Sequence, residues 1–138
     1  MTPYLMDAGV LYALIDNSDT HSAAVRHCLA EIYGEMVIPV PAITEAAYFV
    51  WKNLGQKVLA DFAEDLSKMD VRFENPIPQN YVRSAEILRK YNDANLDFVD
   101  ACIFAMAERL NITKILTIDR RHFGIFRPKH CDAFEILP

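Results

Sequence analysis

Glycine and long apolar runs are both scarce in this chain. Only four glycines occur in 138 residues, and neither G-x-x-x-x-G-K-[ST] nor G-x-G-x-x-G is present. Nucleoside triphosphate or dinucleotide binding through such loops therefore has no sequence support. The longest apolar runs, such as VIPVPAI at 37–43, fall far short of the roughly 20 residues a membrane helix needs, so no membrane association is expected. Positive charge is also in deficit: 14 Lys and Arg stand against 19 Asp and Glu, a net charge of −5. That balance excludes a protein that coats nucleic acid through overall positive charge. Cysteine is limited to Cys28, Cys102 and Cys131, an odd and widely spaced set that suits free thiols in a reducing compartment. With no basic-then-apolar leader at the N-terminus, the expected location is cytoplasmic. Cys28 and Cys102 read as core thiols, and Cys131 is left open.

What the chain does contain is the composition of a globular domain, 52% hydrophobic and 24% charged, at a length that suits one core over residues 1–138. PYLM reads as a short strand ending near Met6, with a helical turn starting at Asp7. A helix is predicted from about Thr20 to Tyr33, on the spacing of Ala24, Val25, Cys28, Leu29 and Ile32, with Ser18 or Asp19 as its cap. MVIPV (36–40) reads as a second strand and PAITEAAYFVWKNL as a helix with Pro41 near its first turn. After Gly55, an amphipathic helix leads to the short strand VRFE. Another helix, QNYVRSAEILRKYN, precedes a bend at 93–95, and NLDFVDACIFAMAERL follows as an apolar helix. TKILTID (113–119) and AFEIL (133–137) complete the strands. Alternating strands and helices predict an α/β fold: a mainly parallel sheet between two helical layers.

In such sheets ligands bind beyond the carboxyl ends of the strands. Asp7 and Asp119 are predicted at two such ends, Glu45 just after a third, and Asp97 and Asp100 open the helix that leads to Asp119. Each acid also has an ordinary reading: Asp7 and Asp97 as helix caps, Asp100 and Glu45 as first-turn partners of the helix dipole, and Asp119 as the cap of a turn, IDRRHF. Their convergence on one sheet edge argues for more, because clustered carboxylates raise one another's pKa unless cations neutralise them. Carboxylates without Cys or His pairs favour Mg²⁺ or Mn²⁺, and such ions leave positions open for phosphate oxygens and a hydrolytic water. Phosphodiester hydrolysis is the chemistry implied.

Asp7 in YLMDAGVLYALID, Glu45 in PAITEAAYFV, Asp100 in DFVDACIFAMAERL and Asp119 in ILTIDRRHF resemble the four acidic signatures of the PIN-domain nucleases. The chain is most similar in style to the VapC-type toxins of toxin–antitoxin pairs. The resemblance implies a compact three-layer α/β/α sandwich and an endoribonuclease dependent on Mg²⁺ or Mn²⁺. It also implies homodimerisation and inhibition by a small antitoxin. The metal-binding acids would then be Asp7, Glu45, Asp100 and Asp119, with Asp97 auxiliary. Thr117 matches a position where the family often lines the site with a hydroxyl, and Gly9 departs from the pattern, since a small hydroxyl or amide residue is frequent there. The alternatives are a noncatalytic PIN-fold module that binds RNA or protein, and a DNA nuclease or phosphatase using the same acids.

Arg120 and Arg121 follow the fourth acid, and Arg127, Lys129 and His130 continue the most basic stretch of the chain. With Thr117, Arg120 and Arg121 are the candidate substrate-binding residues, because arginine grips phosphate bidentately. His122 is a further candidate for RNA contact, whereas His21 and His27 read as surface or cap residues. Tyr12, Tyr48, Phe49 and Trp51 offer aromatic area near Glu45 that suits a core, a dimer seam or a groove for an antitoxin segment.

Overall fold

The computed structural model describes residues 2–138. The elements in chain order are β1 (Pro3–Met6), α1 (Ala8–Ile15), α2 (Ser22–Glu31), β2 (Glu35–Pro39), α3 (Val40–Leu54), α4 (Gln56–Leu66) and β3 (Arg72–Glu74). They continue as α5 (Pro78–Lys90), α6 (Phe98–Leu110), β4 (Lys114–Leu116), α7 (Arg120–Ile125) and β5 (Glu135–Leu137). Every strand pair is parallel, in the order β3-β2-β1-β4-β5. The expected sandwich is thus present, with a sheet that is wholly parallel.

The strand order fixes where the chain reverses. From β1 the chain steps to β2 and β3 on one side, then crosses back to β4 on the other side of β1. Because parallel crossovers are right-handed, α1 to α4 are assigned to one face and α5 to α7 to the other. Within the layers α1 touches α2 and α3, α3 touches α4, and α5 pairs with α6, while α3 also meets α6 across them. The point of reversal lies between β1 and β4, where the carboxyl ends of adjacent strands diverge into a crevice.

Helix α6 is the centre of its layer. Residues Ala101 to Ala107 are buried without interruption, which explains why its sequence is apolar all round rather than striped. Small residues at 101, 105 and 107 allow close approach, and Phe104 fills the space between. Its ring stacks on Phe126 at 4.3 Å between centroids and meets Phe123 edge-on at 4.9 Å. Beside it, Arg83 on α5 forms a fork onto Glu108, with Nε 2.7 Å from Oε1 and Nη2 3.1 Å from Oε2. Glu108 also accepts the backbone N–H of Lys129 at 2.7 Å, so one carboxylate ties α5, α6 and the C-terminal loop together.

Several local expectations shift. The early helix begins at Ser22 rather than Thr20, and its N-cap is His21, whose side chain makes no cap bond; Asp19 instead accepts the backbone N–H of His21. The segment after Asp119, expected as a turn, is the short helix α7. Cys102 is fully buried, Cys28 and Cys131 are half-buried, and all three are free thiols. Among the described residues, no helix is long and apolar enough to cross a membrane. Replacing Phe104 with Ala is expected to lower unfolding free energy by about 3–5 kcal/mol, read from urea denaturation.

Candidate active site

Asp7 leaves β1 at the reversal point. Its backbone N–H donates to the Leu116 carbonyl at 2.9 Å, extending the β1–β4 ladder by one bond. It then caps α1, with Oδ1 accepting from the Ala8 N–H at 2.7 Å, and its Oδ2 accepts the Thr117 hydroxyl at 2.8 Å. The Thr117 oxygen in turn accepts the Asp119 N–H at 3.0 Å. Thr117 is fully buried, so its hydroxyl is a fixed link between the first and fourth acids. Expected from sequence among the substrate-binding residues, Thr117 here bonds the Asp7 carboxylate and the Asp119 backbone.

The acids at the start of α6 hold each other. Asp97 is the N-cap and accepts the Asp100 N–H at 2.8 Å, while Asp100 Oδ2 accepts the Asp97 N–H at 3.4 Å, a reciprocal capping box. Asp119 caps α7 by accepting the His122 N–H at 3.0 Å. That cap brings the His122 ring back over the same carboxylate. Its Nδ1 lies 2.9 Å from Asp119 Oδ2 and 3.4 Å from Asp100 Oδ2. Donor atoms of Asp100, Asp119 and His122 all fall within 4.8 Å of one another. His122 was considered from sequence for RNA contact, not as a neighbour of the acids. The signal was available, because a side chain three residues after a capping aspartate faces the cap.

Asp7, Asp97 and Glu45 complete the neighbourhood electrostatically. Burial pushes the Asp7 carboxyl up to about 6, opposed by its hydrogen bonds from Thr117 and Ala8 and assisted by the charges of Asp119 and Asp97. Burial likewise raises Glu45 to about 7, with Asp97 and Asp7 adding to it. Asp100 rises to about 8 through burial, then the charges of Asp97, Asp7 and Asp119. All five acids predicted from sequence therefore share one field. Glu45 stands just after the first turn of α3, which begins at Val40.

The basic run is mostly engaged elsewhere. Arg120 turns to the end of β5, where Nη2 donates to the carbonyls of Ile136 and Pro138. Arg127 bonds the carbonyls of Gly124 and Phe126, and the His130 ring lies 2.7 Å from the Ile112 carbonyl. Arg121 is exposed and makes no side-chain hydrogen bond or ion pair among the described residues. At Gly9, a Cβ would meet Ile118 Cγ1 at 3.0 Å and Cδ1 at 3.1 Å, so the isoleucine occupies the volume a side chain there would need. Beside Glu45, a groove of about 470 Å³ is lined by Pro41, Thr44, Tyr48, Phe49, Phe98 and Val99. Its aromatic rims are open to solvent, Tyr48 at 53% and Phe98 at 57% exposure.

The raised carboxyls set the pH dependence of the metal-free protein. The folded state keeps protons that the unfolded chain releases near pH 4, so stability falls as pH rises from about 4 to about 8 and then levels. Asp100→Asn removes the last part of that fall. In chelator, the variant is expected to melt above the wild type at pH 8, with the difference vanishing towards pH 4. Parallel melting curves for the two proteins across this range would contradict the charge assignment.

Comparison with known proteins agrees with this fold. A family model described as PIN domain matches residues 4–125. Ribonuclease VapC26 of Mycobacterium tuberculosis is 27% identical over 134 residues, spanning 97% of this chain and 99% of its own. Among solved structures, the Mycobacterium tuberculosis toxin VapC20, described as cleaving the sarcin-ricin loop, superposes with a TM-score of 0.75 at 18% identity, over 81% of this chain and 86% of that one. The DNA-bound VapBC complex of Salmonella typhimurium superposes with a TM-score of 0.72 at 16% identity, over 99% and 97%.

Proposed function

Because the chain belongs to the PIN-domain family, we propose that it is an endoribonuclease dependent on Mg²⁺ or Mn²⁺, and the toxin of a toxin–antitoxin pair. The observation that carries this reading is the gathering of Asp7, Glu45, Asp97, Asp100 and Asp119 at the reversal point of the sheet, where burial and mutual charge raise the Asp7, Glu45 and Asp100 carboxyls. The 27% identity to a ribonuclease over nearly the whole of both chains supports the same activity.

The donor set fits a hard divalent ion: oxygen-rich, convergent and short of countercharge. Asp7, Asp100 and Asp119 would hold it, with Glu45 and Asp97 flanking. When bound, such an ion supplies neutralisation of the acids, polarisation of a phosphate oxygen and a more acidic water. The chain's own residues do the rest. Thr117 holds Asp7 Oδ2 and the Asp119 backbone in one arrangement, so neither acid reorganises when substrate arrives. Glu45, at the edge of the groove, takes a proton from the attacking water as its oxygen bonds to phosphorus, and the P–O ester bond breaks with the leaving oxygen protonated from solvent. Arg121, exposed two residues after Asp119, is the free guanidinium for a flanking phosphate.

The partner in this reading is a small antitoxin whose apolar segment fills the groove of Tyr48, Phe49, Phe98 and Val99. Two similar structures, from Salmonella typhimurium and Rickettsia felis, are VapBC complexes, which supports a partner of that kind. Homodimerisation belongs to the same proposal, and the exposed aromatic surface on α3 has room for it beside the groove.

Single-stranded RNA is expected to be cut only with added Mg²⁺ or Mn²⁺, and cutting is expected to stop in chelator. Asp7→Asn and Glu45→Gln each should reduce the rate by at least about 100-fold while leaving circular dichroism unchanged. RNA that survives while DNA or a phosphomonoester is hydrolysed would favour the alternative nuclease or phosphatase. Binding without any cleavage would favour the noncatalytic module. For the arginines, Arg121→Ala should flatten the salt dependence of RNA binding by about one phosphate contact, a slope change near 0.7. Arg120→Ala should instead release β5, seen as faster amide exchange at residues 135–137.

A further inference from the structure

His122 brings a nitrogen donor into a site whose other donors are oxygens. Its Nδ1 is 2.9 Å from Asp119 Oδ2 and 3.4 Å from Asp100 Oδ2. The ring is held there from two directions. The backbone N–H of His122 is bound by Asp119 Oδ1, and the next residue, Phe123, is buried edge-on against Phe104, which fixes the roll of α7. Two donors in adjacent positions around one ion, each about 2.1 Å from it, stand about 3 Å apart, which the observed spacings bracket. A simple i,i+3 ion pair accounts for the contact with Asp119 alone. It does not account for the approach to Asp100, which comes from a different helix.

We propose that His122 is a ligand of the divalent ion, and that its nitrogen makes the site select Mn²⁺ over Mg²⁺. Mg²⁺ is a hard ion that keeps oxygen donors and several waters, whereas the first-row metals beginning with Mn²⁺ bind imidazole increasingly well. Without the ion, Nδ1 lies 2.9 Å from Asp119 Oδ2 as an electrostatic neighbour. With it, Nδ1 offers its lone pair and the ring proton sits on Nε2. The inference rests on the metal-dependent reading above and deepens it, since that reading leaves the ion open and uses oxygen donors only.

Pulsed electron paramagnetic resonance of Mn²⁺ bound to the wild-type protein tests it without RNA and without a variant. The expected result is the coupling of a directly coordinated nitrogen. Removing even a group that only orients a ligand costs about 10- to 100-fold in affinity. Accordingly, in His122→Ala the nitrogen signal should vanish and Mn²⁺ affinity fall at least that far by titration calorimetry. Mg²⁺ affinity, carried by oxygens and water, should change much less, so the preference for Mn²⁺ collapses. Bound Mn²⁺ with an oxygen-only signature, and an unchanged Mn²⁺ to Mg²⁺ ratio in the variant, would overturn the ligand role while leaving metal-dependent cleavage intact. Nitrogen-coordinated Mn²⁺ in a protein that cuts no RNA would uphold the ligand role and remove the ribonuclease reading. Failure to bind either ion would remove both.

Discussion

Repulsion among like charges at a half-dry sheet edge is the constraint around which this molecule is arranged. Five carboxylates converge where β1 and β4 part, and burial makes ionisation of Asp7, Glu45 and Asp100 harder still. The fold tolerates them because backbone donors surround them. Asp7, Asp97 and Asp119 each cap a helix, so three positive helix ends point into the same cluster. Capping and metal binding, which look like competing explanations for any one of these acids, are complementary for the group. The caps set the side-chain orientations, and the helix ends offset part of the charge when no cation is present.

Much of this was legible in the chain. The order of strands and helices and the parallel sheet follow from apolar spacing, and the shared neighbourhood of the five acids from their places at strand ends and helix starts, because those signals are local. The C-terminal region shows why other features were not. Helix α7 has six residues, too few for a hydrophobic period to register, so it resembled a turn. Arg120 looked available for phosphate because it follows an acid in a basic run. Its partners are the backbone oxygens of Ile136 and Pro138, 16 and 18 residues later, in and just after a strand whose place in the sheet no local pattern reveals. Thr117 fits both an ordinary strand residue and a site residue until the Asp7 carboxylate, 110 positions away, is brought to its hydroxyl.

Site and groove are not separate features. Glu45 lines the apolar groove while its carboxyl feels Asp97 and Asp7. Any segment seated on Tyr48, Phe49 and Phe98 therefore lies directly beside the acidic cluster. Helix α3 serves both because its two faces differ: Ala42, Ala46 and Val50 pack inward, whereas Tyr48 and Trp51 remain more than half exposed. A helix so divided is anchored by small residues and leaves its large ones for contact.

The close approach of Ile118 to Gly9 couples two positions that lie far apart in the chain. They share a single volume, so it is filled either from α1 or from the turn after β4. A homologue with serine or asparagine at position 9 would need a smaller or differently directed residue at 118. The two sites should then drift as a pair through the family's history, with each substitution conditional on the other.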